Sequence, residues 1–111
     1  MADIVYVCDT CAAPAEAPKG AAFAGALRAA EPKGVEIRTV SCLNMCNAPL
    51  ALALRAPGKV AYLFSGVQPD TDVTDTLALI RLYRAAPDGV ITDARPAGRL
   101  RFCLAGRIPA I

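Results

Sequence analysis

Histidine is absent from the 111 residues of this chain. Its absence excludes Ser-His-Asp and Cys-His nucleophile pairs, imidazole general bases, Rieske centres and every zinc site with a histidine ligand. Tryptophan is absent too, and aromatic residues make up only 5%. Nucleic-acid binders combine a strong basic excess with interleaved aromatics. Here 12 Lys+Arg stand against 10 Asp+Glu, a formal charge of +2, so a nucleic-acid partner is disfavoured. No apolar run reaches the roughly 18–20 residues that span a bilayer, so no membrane partner is expected either. The opening segment places Asp3 where a secretory signal needs basic residues, and no long apolar region follows it. The expected location is the cytoplasm.

What is abundant is alanine. Hydrophobic residues reach 55%, but 23 of them are alanines. The rest, roughly a third of the chain, is an ordinary supply for a soluble core. A length of 111 residues predicts one domain over 1–111, since domains cluster at about 100–150 residues. A charged fraction of 20% together with visible periodicity argues against disorder. The five cysteines are the most informative residues. In a reducing compartment, clustered cysteines signal metal or redox chemistry more often than structural disulfides.

Ile4, Val5, Tyr6 and Val7 form a short β-branched run that predicts a buried strand. Residues 19–30 predict a helix, with Pro18 before it and Phe23, Leu27 and Ala30 as its apolar stripe. Residues 35–40 alternate apolar and polar, the period of a half-buried strand. Leucines at positions 50, 52 and 54 predict another strand. The composition of 56–59 predicts a turn, and residues 60–64 a strand that completes a hairpin. Residues 72–85 predict a second helix, capped by Asp72, with Val73, Leu77, Ile80 and Arg84 on its inner face and Leu79 and Tyr83 flanking. Residues 86–111 form an extension to a core of about 3–85, readable as coil or edge strand. The resulting order, β-α-β-β-β-α, is a thioredoxin-like α/β arrangement: a mixed sheet with two packed helices.

Four of the cysteines come as two tight pairs, Cys8-x2-Cys11 and Cys42-x3-Cys46, with 30 residues between them. Each pair follows a predicted strand. If those strands are parallel neighbours, both pairs emerge at the same carboxyl edge, where α/β folds place their sites. Four thiolates there make a soft donor set for an iron–sulfur cluster or Zn²⁺. The bland alternatives are four buried thiols packing as small hydrophobes, or two disulfides. Cys103, between Phe102 and Leu104, is expected to be a small apolar residue. Pro49 is either a loop proline or a cis-proline shaping the wall of the site. Asn44 and Asn47 suit turn geometry or amide hydrogen bonds to sulfur, and Met45 suits packing over the site. Arg95, Arg99, Arg101 and Arg107 occupy a tail without acidic side chains, either a solvated surface or a docking patch for an acidic partner.

Cys8 and Cys11 after the first strand, and Cys42-Leu43-Asn44-Met45-Cys46-Asn47-Ala48-Pro49 after the second, give the chain a resemblance to thioredoxin-like 2Fe-2S ferredoxins. Within that superfamily it resembles a small bacterial family of predicted metal-binding proteins of unknown function. The resemblance covers about residues 3–85. It implies one 2Fe-2S cluster held by Cys8, Cys11, Cys42 and Cys46, a homodimer, and a redox partner with a setting in cobalamin metabolism. One departure is that only two residues separate Cys8 from Cys11, where better-known members have a longer spacing. Zinc sites also use the shorter one.

Three functions compete. A one-electron carrier needs no catalytic side chain, which suits a chain without histidine. A zinc-binding structural or regulatory protein would use the same four sulfurs. A thiol–disulfide oxidoreductase would use Cys8 and Cys11. Asp9 beside the attacking thiol, and the Ala- and Pro-rich segment that delays the next helix, both weigh against that third function.

Overall fold

The computed structural model describes residues 3–9, 19–30, 34–41, 50–68 and 71–110. In chain order the elements are β1 (Asp3–Cys8), α1 (Gly20–Ala29), β2 (Val35–Val40), β3 (Leu52–Arg55), β4 (Ala61–Phe64), α2 (Val73–Ala85), a kinked 3₁₀ segment (Arg95–Phe102) and β5 (Leu104–Ile108). They form a five-stranded sheet of order β2-β1-β3-β4-β5. β1 and β2 are parallel, and the other neighbouring pairs are antiparallel. The mixed α/β sheet expected from the sequence is therefore the fold, and it is compatible with a thioredoxin-like arrangement. The tail supplies the fifth strand at an edge.

Strand alternation assigns the two faces of the sheet. Val5 faces Ile37 and Leu54, Val7 faces Leu52, and Leu52 and Leu54 face Phe64 and Tyr62. These side chains are buried with Phe23, Ala24 and Leu27 of α1 and Leu79, Ile80 and Tyr83 of α2 in one core. The opposite face carries Ile4, Tyr6, Ala61 and Ile108 around an open concavity of about 560 Å³.

The β3–β4 connection has the chemistry its composition predicts. Lys59 donates its N–H to the Ala56 carbonyl at 3.2 Å, and Gly58 adopts φ 73°. Pro57 followed by a residue with positive φ is the sequence signature of a type II turn. Lys59 then ties the hairpin to the rest of the molecule. Its ammonium donates to the Asp3 carboxylate at 3.1 Å and to the Tyr83 carbonyl at 3.0 Å. It also lies 4.8 Å from the centroid of the Tyr83 ring. The Tyr83 hydroxyl donates to the Val60 carbonyl at 2.6 Å. Burial, with the nearby Asp3 charge and Tyr62, pushes its pKa up to about 12, so it stays a donor.

Three helix expectations differ from the structure. The buried face of α2 is Thr76, Leu79, Ile80 and Tyr83; Val73 and Leu77 are only partly buried and Arg84 is exposed. The apolar stripe is rotated because Leu79 and Tyr83, four apart, bring more bulk to the core than Val73 and Leu77. Asp72 precedes α2 but makes no capping hydrogen bond to it. Its carboxylate instead faces backwards, accepting from the Gln68 N–H at 2.7 Å and from Arg99. In α1 the buried set is Gly20, Phe23, Ala24 and Leu27, and Ala30, in the C-cap position, is exposed.

Candidate functional site

Cys8 is the last residue of β1 and pairs in register with Val40, the last residue of β2. Beyond that pair, the Asp9 N–H donates to the Val40 carbonyl at 2.9 Å. The parallel register thus delivers the chain after β1 and the chain after β2 to one carboxyl edge. The Cys8 side chain is fully buried, and its Sγ lies 3.9 Å from the Ser41 carbonyl oxygen. Ser41 is the residue immediately before Cys42.

Two further segments reach the same edge. The Cys8 N–H donates to the Ala51 carbonyl at 3.1 Å, and Leu50 and Val67 exchange backbone hydrogen bonds at 2.9 and 3.1 Å. These bonds fix the chain where it re-enters the described structure after Pro49. The first residue of α1, Gly20, packs directly on the Cys8–Asp9 peptide. A Cβ at position 20 would overlap the Cys8 carbonyl oxygen and stand 2.8 Å from the Asp9 Cα. The first turn of α1, the positive end of the helix dipole, therefore sits against the end of β1. The start of α1 thus lies beside the Cys8 backbone in space, although the Ala- and Pro-rich segment delays the helix along the chain.

Of the four proposed ligands, Cys8 lies in the described structure. Cys11, Cys42 and Cys46 lie outside the described residues, as do Asn44, Met45, Asn47 and Pro49. Among the described residues no group of three or more metal-ligating side chains occurs. Cys103 is buried, with its Sγ 3.7 Å from the Arg99 carbonyl and 3.9 Å from that of Gly66. Burial raises its pKa, against a lowering by Arg99. It lies at the same end of the sheet as Cys8. However, β3 and β4 intervene, and three strand spacings amount to about 14 Å. Cys103 and Cys8 therefore cannot share one small metal centre, and the apolar role expected for Cys103 fits its burial.

The arginines of the tail divide into two groups that the sequence did not separate. Arg99 turns inward and donates to both oxygens of Asp72, at 3.3 and 2.5 Å, and to the Gly66 carbonyl at 2.7 Å. Arg95 pairs with Asp93 at 2.8 Å. Arg101 and Arg107 remain exposed. The Asp72–Arg99 pair joins residues 27 apart, and no local motif announces it.

A five-stranded mixed sheet with helices packed on it, and a buried cysteine at the carboxyl end of β1, define an α/β protein with its candidate site at the sheet edge. The chain belongs to the family described as "Protein of unknown function (DUF1636)", which matches residues 5–110. No curated protein and no solved structure matches it significantly.

Proposed function

We propose that this chain is an iron–sulfur protein that holds one 2Fe-2S cluster through Cys8, Cys11, Cys42 and Cys46 and passes single electrons to a partner enzyme. The observation that carries the reading is the β1–β2 register. It starts both cysteine-bearing loops from one edge, with the Cys8 sulfur facing the residue that precedes Cys42. The donor set fits the group: four soft thiolates are what such a cluster requires. When bound, the cluster supplies one-electron chemistry. The chain's own part is to bury Cys8 away from water and to set the first turn of α1 beside the Cys8 backbone. There the helix dipole favours the negative charge of a thiolate.

Burial also weighs against the oxidoreductase alternative. A thiol that attacks disulfides must be accessible, and Cys8, the first cysteine of its pair, is fully buried. Zinc would use the same sulfurs, so metal analysis decides between the two. The family resemblance extends the proposal to a homodimer, which light scattering tests. It also extends it to a redox partner in cobalamin metabolism, which reduction of the protein by candidate reductases tests.

The deciding experiment is a visible spectrum of anaerobically purified protein, with iron, sulfide and zinc measured on the same sample. A red-brown protein with about two irons and two sulfides per chain is expected. A colourless protein with about one zinc per chain that resists cluster reconstitution would overturn the reading. Alanine at any of Cys8, Cys11, Cys42 or Cys46 is expected to abolish the visible bands, and Cys103→Ala to leave them unchanged.

A further inference from the structure

The two edges of the sheet are finished differently. At the β2 edge, Glu36 and Arg38 are exposed and pair with each other at 2.7 Å; charges on an edge strand discourage the addition of another strand. At the other edge, among the described residues, nothing pairs with the outer side of β5. All three exposed large hydrophobic residues of the described structure lie in or beside that strand: Phe102 at 75%, Leu104 at 48% and Ile108 at 64% exposure. Residues 94–111 contain no acidic side chain. With Arg95 and Arg99 engaged elsewhere, Arg101 just before the strand and Arg107 within it are exposed cations, and the Arg101 guanidinium lies 4.6 Å from the centroid of the Phe102 ring.

A second copy of the chain fits this edge poorly. Leu104 pairs with Phe64, then Gly106 with Leu63, Arg107 with Tyr62 and Ile108 with Ala61. Ala105 is the extra residue of a bulge, so Leu104 and Arg107 share the helix-covered face while Gly106 and Ile108 share the open one. Two-fold antiparallel pairing centred on Gly106, with Ala105 bulged in each strand, would set Arg107 opposite Leu104, a cation against an apolar side chain with no acid in the segment to pair it. Pairing centred on Arg107 keeps the faces matched but sets the guanidinium opposite its own copy, and like charges directly opposite are destabilising.

We propose that β5 is a docking edge for an extended acidic segment of another protein, which adds as a sixth strand, sets carboxylates against Arg101 and Arg107 and covers Phe102, Leu104 and Ile108. Strand addition takes its affinity from main-chain hydrogen bonds and its selectivity from alternate side chains. The charge pattern supplies the selectivity here. This inference does not depend on the metal at the cysteine edge.

The test is a titration of isotope-labelled protein, followed through its backbone amide resonances, with a peptide of about seven residues alternating glutamate and valine. A peptide alternating lysine and valine is the control. The expected result is that shifts are confined to residues 101–108, with affinity for the acidic peptide at least about tenfold above that for the basic one. The double variant Arg101→Glu, Arg107→Glu is expected to reverse that preference while the rest of its spectrum is preserved. Any of four results would overturn the proposal: no shifts in β5 at millimolar peptide, equal response to both peptides, equal or tighter binding of a polyuridine oligonucleotide to the same residues, or concentration-dependent self-association through 104–108.

Discussion

Single atoms decide several outcomes in this molecule. The Thr76 hydroxyl is fully buried on the inner face of α2 and has no hydrogen-bond partner among the described residues. A buried polar group without a partner costs about 1–3 kcal/mol. Thr76→Val keeps the shape and removes the hydroxyl, and is expected to stabilise the protein by about 1 kcal/mol in chemical denaturation. Two glycines of α1 make opposite predictions for the same substitution. Among the described residues, nothing lies within 4 Å of a would-be Cβ at Gly25. Gly25→Ala should therefore gain up to about 1 kcal/mol from helix propensity. At Gly20 the Cβ would collide with the Cys8 backbone, so Gly20→Ala should cost about 1–3 kcal/mol and weaken any visible bands of the proposed cluster; thermal melts of the two variants check the pair. Neither contrast is legible in the sequence, where both residues are glycines within one alanine-rich helix. The distinction comes from a strand that is distant along the chain.

At the scale of elements, Asp72 and Arg99 clamp the 3₁₀ segment onto the start of α2. Asp72 is 3% exposed in its side chain and Arg99 43%. Burial acts to raise the Asp72 pKa, but the hydrogen bonds from Arg99, the Gln68 N–H and Thr71 lower it overall. A carboxylate depressed in the folded state contributes stability that is fully present above its unfolded value of about 4 and is lost as pH falls through the lower folded value. Asp72→Asn is therefore expected to cost about 1–3 kcal/mol at neutral pH, discounted for the half-open arginine. It should also flatten the stability curve below pH about 4, as urea titrations at stepped pH would show. Elements with clear periodicity were legible. The alternation of Val35, Ile37 and Thr39 gave β2, and Pro57-Gly58 gave the hairpin turn. The face of α2 was not legible, because Val73, Leu77 and Ile80 and the set Thr76, Leu79, Ile80 and Tyr83 both have helical spacing. The bulk of Leu79 and Tyr83, with the contacts of Tyr83 to Lys59, Val60 and Tyr62, selects the second.

Across the whole molecule, the topology that ends β1 and β2 at one edge also orders its assembly in time. β1, the first strand in the sequence, lies between β2 and β3. It must find partners roughly 30 and 50 residues away, and closing such loops is slow. β3 and β4, joined by the Ala56–Lys59 turn, are the one strand pair in the sheet with a local connection. The hairpin is expected to form early and to recruit β1, with β2 and the cysteine edge completed late. Leu54→Ala should accordingly slow folding, whereas Ile37→Ala should chiefly speed unfolding, in stopped-flow measurements across denaturant. The consequence is that Cys8, in the earliest part of the chain, acquires its final neighbourhood among the last events of folding. A metal centre at that edge would be loaded onto a nearly finished protein rather than acting as the seed around which it forms.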